Sequence, residues 1–395
     1  MSEGPVVVGD AGGSRVIAAR ERGSAVAAAT LAVPLTDDRP AAVAAPLLAA
    51  CWAREVARAA RRAGAAVRAD PVTTPDWAGV TVESLRADHP CLRSLPEWFA
   101  GAARVPESGY EEVRAACLAR LAAEDQRSDG VRRALFGPAH RYGIGHAERV
   151  RALAGCGPDE AAVLSGRVLG AAPPVLALSH ADPADLPGLL TALSTGRRPV
   201  ARPAPGPARV PGPVTVSVPA GTGLVHQLRA TPGVGLGSPD KAAVHLAWAL
   251  LGGRDGLLDR ELRGERALTY SLAAFSREFA AGGYGLTVAT CAEGAREEVA
   301  ARTVAVIGGL GRGEFAGGLL AAARERLMVR YLGAEHRARG CTERLCGYAV
   351  AGLDPEESAR YPSALLRVTR REVCGVVRHY LRPTADGEAP TPATT

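Results

Sequence analysis

The chain has 395 residues, 47% of them hydrophobic and 22% charged. That is ample apolar material for two cores, and it excludes a wholly disordered chain, a collagen-like repeat and a small disulfide scaffold. The formal net charge is +6, yet of 47 Lys and Arg residues Lys241 alone is a lysine. Arginines and acids interleave along the chain (Arg54, Glu55, Arg58, Arg61, Arg62), which describes a solvated mixed surface rather than the one-sided basic face that nucleic acid requires. Eight cysteines are scattered without a CxxC pair. They read as reduced core residues of a cytoplasmic protein. The N-terminus MSEGPVVVGD lacks the basic start of a signal peptide, and the apolar run 41–53 contains Pro46 and is too short to span a bilayer, so no membrane partner is expected.

In chain order, β-like runs at 5–8 and 15–19 precede a helix over 41–63 and strand regions at 66–73 and 78–85. Ser108 and Glu111 have capping-box spacing for a helix over 109–125 that places Val113, Cys117 and Leu121 on one face. Residues 197–213, RRPVARPAPGPARVPGP, cannot form a helix or a central strand and read as a semi-rigid spacer. The second half repeats the grammar: strands at 214–219 and 224–230, then a helix over 239–251 with Ser238 as N-cap, Pro239 at N1 and Gly252-Gly253 at its end. Strand regions at 268–276 and 283–290 and later helices follow. The alternating strand and helix grammar in both halves predicts two α/β or α+β domains of one kind, an ancient duplication. Their bounds are 1–196 and 214–382, the linker is 197–213, and 383–395 is a disordered tail.

Three segments together carry a resemblance. Residues 250–275, LLGGRDGLLDRELRGERALTYSLAAF, run from a helix ending in LGG through Leu262-Arg263 and a charged turn to Tyr270, seven residues after the arginine. Residues 136–145, FGPAHRYGIG, contain an aromatic-glycine turn. Residues 361–383, YPSALLRVTRREVCGVVRHYLRP, lead from a Val-Thr helix start to a final Tyr-Leu. In this order they resemble the second-domain signature, the first-domain turn and the closing helices of the pitrilysin, insulinase and mitochondrial-processing-peptidase family of metallopeptidases. The resemblance spans both domains and implies an α+β fold, a half clam-shell of two similar domains, each a mostly antiparallel sheet covered by helices.

Catalytic members of that family carry HxxEH on the first long helix, where two histidines four apart hold zinc and the glutamate activates water. Here His89, His140, His146, His180, His226, His245, His336 and His379 include no pair four apart, and 41–63 holds no histidine. No cofactor or metal is therefore expected in this chain. What the resemblance implies instead is the subunit of a heterodimer that lacks the zinc motif. Such a chain supplies Arg263 and Tyr270 to a homologous HxxEH-bearing partner, which holds the zinc, and it is inactive alone. Peptides are the implied substrate, with leader removal from a ribosomally made peptide as one setting. A phenol O–H aimed at the scissile carbonyl oxygen takes up developing charge. A guanidinium offers a fixed fork of donors to a backbone carbonyl or a carboxylate. The alternative is a catalytically inert structural subunit of the same fold. Then Arg263 and Tyr270 are inherited relics; read from spacing alone, Arg263 is one surface arginine among many and Tyr270 packs at a domain boundary.

Other motifs read as structure. Gly233-x-Gly235-x-Gly237 is a loop between strand and helix rather than a phosphate cradle, and Gly309-x-Gly311-x-Gly313 a turn between two helices. His140 is a turn histidine beside Tyr142. His245 shares a helix face with Lys241 and Trp248, expected on the solvent or interface side. Cys341 and Cys346 lack a second ligand pair. No GxxxxGK or GxSxG is present.

Overall fold

The computed structural model describes residues 6–11, 13–19, 24–102, 105, 108–180, 183–194, 212–335 and 337–381. The expected linker falls almost wholly, and the expected tail entirely, outside these residues. The chain folds into two compact units that are not consecutive stretches of sequence. The first comprises Met1–Glu124, His146–Pro205 and Leu332–Ala359; the second comprises Asp125–Gly145, Gly206–Tyr331 and Arg360–Thr395. Each is a sheet covered by helices, so the α+β reading holds.

The first unit is built on strands β1 (Val6–Ala11), β2 (Ser14–Ala19), β3 (Val26–Pro34), β4 (Arg68–Thr73), β5 (Trp77–Leu85) and β6 (Val175–Ser179), in the order β1-β2-β6-β3-β5-β4. Among the described residues only the β2–β6 pair is parallel. β3 and β6 lie in the middle and are buried almost throughout, which is why their sequences, VAAATLAVP and VLALS, are continuous apolar runs rather than alternations. One face is covered by the helix Arg39–Arg62, which starts where the Asp38 carboxylate accepts from the Ala41 N–H. Its Trp52 is fully buried and donates its indole N–H to Ser165 at 2.9 Å.

The opposite face takes the helix Ala338–Val350, with Cys341, Leu345, Cys346 and Ala349 packed on Ile17, Ala32, Trp77, Val175 and Ala177. Buried hydroxyls link the layers: Thr81 to Thr30 at 2.9 Å and Thr30 to Thr342 at 2.8 Å. Burial pushes the Cys346 thiol up, and its Sγ–H donates to the Thr30 carbonyl, as suits a core thiol rather than a metal ligand. All eight cysteines are free.

Two local starts differ from the sequence expectation. The helix expected over 109–125 runs Tyr110–Ala122 from Gly109, which sits at φ 80° with no side-chain cap; Glu111 pairs with Arg114 instead of closing a box with Ser108. The face Val113, Cys117, Leu121 is buried as expected. The helix expected from 239 begins at Lys241 with Asp240 at its N-cap, and Ser238 Oγ accepts from the Asp240 N–H in the turn that precedes it.

The second unit has four antiparallel strands: β7 (Val214–Pro219), β8 (Leu224–Gly233), β9 (Thr269–Phe279) and β10 (Gly282–Ala292), in the order β7-β8-β10-β9. One face buries Lys241–Leu251, Arg296–Arg312 and Arg370–Val376. Gly309 and Gly311 lie inside Arg296–Arg312, and only Gly313, at φ 84°, ends it; the expected turn is thus a helix with a left-handed cap. The last of these helices starts at Thr369 with a full capping box to Glu372. The other sheet face takes Asp129–Phe136 and the short turn Arg141–Gly143, whose Phe136 and Tyr142 rings pack on Phe279 and Tyr284. The Tyr142 hydroxyl accepts from the Ala281 N–H at 3.0 Å, and His140 Nδ1 accepts from the Tyr142 N–H, the turn role expected of that histidine.

The hairpin end of β9 is braced by a polar line. Glu278 Oε2 lies 3.0 Å from His245 Nε2, and His245 Nδ1 meets the Tyr361 hydroxyl. Lys241 stands 5.2 Å over the Tyr361 ring. Burial alone would raise the Glu278 carboxyl, but the His245 hydrogen bond and the His245 and Lys241 charges hold it below the usual carboxylate range.

A Cβ on Gly285 would lie 1.9 Å from the ring of Trp248, which is itself 3% exposed. Gly285→Ala is therefore expected to destabilise the second unit by about 1–3 kcal/mol through overpacking, read as a lower denaturant midpoint at unchanged slope. Glu278 makes a second prediction. A carboxyl depressed by folding contributes stability that is present above its ordinary value of 4.5 and is lost as pH falls through its lower folded value. Glu278→Gln is expected to be less stable at neutral pH and to lose less between about pH 5 and 3 than the wild type. Parallel stability curves over that window would refute the brace.

Candidate functional site

The helix Lys241–Leu251 ends at Gly252, whose Cβ, if present, would sit 2.5 Å from the Ala274 carbonyl oxygen; Gly253 turns away at φ 82°. The LGG sequence thus lets a helix end abut the backbone of β9. The chain continues through Leu257–Asp259 into one wide turn of π-helix, Arg260–Gly264. Leu262 is buried, its carbonyl accepts from the Leu268 N–H at 2.8 Å, and the Arg263 carbonyl accepts from the Ala267 N–H at 3.2 Å. Residues 264–268 are therefore a closed loop that brings the start of β9 back beside Leu262, and Ala267 at φ 51° absorbs the reversal. Glu261 locks the turn, accepting from Arg302 at 2.8 Å and from Arg266 at 3.0 Å. The hydrogen bond from Arg302, more than that from Arg266, holds its carboxyl below the usual range.

Arg263 leaves this turn into solvent. Its side chain is 61% exposed and reaches no nearer than 3.9 Å to Asp259. Tyr270 follows on β9 and is 67% exposed. The ladder explains its position: Thr290 pairs with Ser271 and Cys291 with Thr269, so Tyr270 is the extra residue of a β-bulge. A bulge re-aims the surplus side chain and leaves its backbone out of the ladder. β9 is also an end strand of its sheet among the described residues. A free edge accepts an extended peptide by main-chain pairing. Arg263 and Tyr270 thus stand at the two ends of one braced loop, in solvent, at the start of an edge strand.

Three further side chains near this strand were not singled out by sequence. Ser271 Oγ bonds Thr290 Oγ1 at 2.7 Å, and Thr290 Oγ1 bonds His226 Nδ1 at 3.0 Å. The alternation of β9 and β10 is visible in sequence, but the one-residue shift that puts Ser271 opposite Thr290 is not. His245 differs from expectation: Trp248 is buried and His245 is held between Glu278 and Tyr361, so this helix face is neither solvent nor an open interface.

The described residues do not fit a zinc ion. The inward side of Arg39–Arg62 presents Ala, Val, Leu, Cys51 and Trp52, and no group of three or more His, Cys, Asp and Glu side chains among the described residues is arranged to hold a metal. No single described helix is long and apolar enough to cross a membrane.

No protein-family model and no curated protein sequence matches the chain. Solved structures match along nearly its whole length. It is similar to a protease from Helicobacter pylori at 14% identity, with 97% of this chain and 98% of that one covered and a TM-score of 0.78. It is similar to a peptidase M16 inactive domain from Pseudomonas fluorescens at 17% identity, covering 96% and 95%, with a TM-score of 0.75. A chain of Complex III2 from Candida albicans matches at 12% identity, covering 93% and 91%, with a TM-score of 0.74. At these identities the likeness establishes the fold: this chain has the two-domain architecture of the peptidase M16 structures.

Proposed function

We propose that this chain is the subunit without zinc in a two-chain zinc metalloprotease. It presents Tyr270 and Arg263 to a peptide held along the edge of β9. The observation that carries the reading is the bulge at Tyr270, which exposes a phenol beside a free strand edge where packing gives it no task. Zinc in an HxxEH-bearing homologue would supply the Lewis acid and the activated water. On this side, the phenol O–H donates to the scissile carbonyl oxygen as charge develops there. The Arg263 guanidinium grips a backbone carbonyl or carboxylate of the same peptide. The setting we favour is the cytoplasm of a bacterial cell, with removal of a leader from a ribosomally made peptide as the reaction.

A second reading is an inert structural subunit. It is favoured by the likeness to a structure described as an inactive domain and to a chain of Complex III2. On that reading the side chains of Arg263 and Tyr270 are dispensable.

The isolated chain is expected to hold no stoichiometric zinc after dialysis and to cleave no peptide; about one tightly held zinc per chain by elemental analysis would contradict this. Co-expressed with the HxxEH partner, it is expected to elute as one heterodimer at micromolar concentration. A permanent interface of this kind buries roughly 2,000 Å² or more. In the pair, Tyr270→Phe keeps the ring and removes only the donor. It is expected to lower kcat by roughly 10²–10³-fold with zinc content and assembly intact. Arg263→Ala is expected to raise KM as well, since it removes contacts made in the ground state. If both variants match the wild type within about twofold, the structural reading stands instead.

A further inference from the structure

We infer that Ser271, Thr290 and His226 form a specificity-determining subsite on the β9–β10–β8 face that reads a hydrogen-bond donor on a side chain of the bound peptide. This rests on the proposed protease reading. The three residues lie across adjacent strands in register: Ser271 opposite Thr290, and Thr290 opposite His226. Ser271 is exposed, Thr290 is 8% exposed and His226 is half-buried, so the line runs from the open edge into the sheet face.

The direction of the hydrogen bonds is set by where the His226 proton sits. Thr290 has one O–H and sits between two partners, 3.0 Å from His226 Nδ1 and 2.7 Å from Ser271 Oγ. Burial, then the Arg127 charge, lowers the pKa of His226 against the opposing effect of Asp125, so the imidazole is neutral at pH 7. We place the His226 proton on Nε2, so that Nδ1 accepts. Thr290 then donates to Nδ1, Ser271 donates its one proton to Thr290, and the Ser271 oxygen is left with lone pairs only. The edge of the sheet therefore offers an acceptor beside the Tyr270 bulge.

A peptide strand added to β9 places one side chain directly across from Ser271 on this face, about 4.5–5.5 Å away between Cβ atoms. The next residue on the same face of β9 is Ala273, two positions on, small, exposed and paired with the apolar Val288. The peptide class that fits has a donor side chain (amide, guanidinium or ammonium) at one position and an apolar side chain two residues away. A carboxylate at the first position would draw the Ser271 proton away from Thr290, breaking the line, and is disfavoured.

The test uses the co-expressed pair and a library of peptides randomised around the cleavage site. Wild type is expected to enrich Asn, Gln, Arg or Lys at one position, with an apolar residue two away. Ser271→Ala sits on an exposed position and leaves the fold alone; Thr290→Val keeps the shape and breaks the line. Both are expected to raise KM about tenfold on the best donor peptide, as for one lost hydrogen bond, with kcat within about twofold. The matching peptide with alanine at that position is expected to be cleaved alike by all three proteins. Cleavage with an unchanged profile in both variants, or wild-type enrichment of Asp or Glu at that position, would overturn the subsite and leave the protease reading standing. No cleavage of any peptide by the wild-type pair would overturn the protease reading, and the subsite with it.

Discussion

The pairing of β9 with β10 fails to close by one residue, and that surplus residue is Tyr270. Much of the second unit bears on this mismatch. At one end of β9 the strand is fixed by the hairpin and by Glu278, gripped by His245. At the other it is fixed by the closed loop 264–268, whose Leu268 is tied to the carbonyl of the buried Leu262. In between, Gly252 brings a helix end against Ala274. With both ends held, the ladder accommodates the extra residue by a local bend rather than a slip of register, and a slip would have turned every side chain of β9 to the opposite face.

Held in this way, the exposed end of the strand is braced without being buried. A side chain that is to meet developing charge must stand close to its target before the reaction begins. Tyr270 stands on a braced strand rather than a free loop. Arg263 is held more loosely: its π-turn is locked through Glu261 by Arg302 and Arg266, while its own side chain reaches no nearer than 3.9 Å to Asp259. A guanidinium free to swing is suited to gripping a substrate of variable sequence, whereas a phenol on a bulge is suited to one fixed point.

Much of this was legible in the sequence. Strand regions such as 224–230 and 283–290, and helices with apolar faces, such as 110–122, lie within a few residues of expectation. What was missed has physical reasons. β3 and β6 are buried on both faces, so they lack the period of two, and the alanines of VAAATLAVP favour helix in isolation. The two units exchange segments, with Asp125–Gly145 joining the second and Leu332–Ala359 the first. Local patterns do not encode which sheet a helix will cover. The helix Ala338–Val350 has Cys341, Leu345, Cys346 and Ala349 on one face, yet nothing in that spacing names Ile17 and Trp77 as their partners. The bulge and the Ser271–Thr290–His226 line depend on register across strands, which sequence spacing does not specify either.

The distinction between packing and chemistry decides how much weight each part of the resemblance bears. Gly252 is demanded by the Ala274 carbonyl, Leu262 and Leu268 by the core, and Tyr142 by the Ala281 N–H and the Phe279 ring. A structural subunit of this fold would need all of them, so their presence speaks for the architecture and is silent on catalysis. Arg263 and Tyr270 are different. Both side chains stand more than half in solvent, neither belongs to a core cluster among the described residues, and a large exposed aromatic on an edge strand invites unwanted pairing with another chain. The functional reading therefore rests on these two side chains and the bulge that aims one of them, not on the longer motif around them.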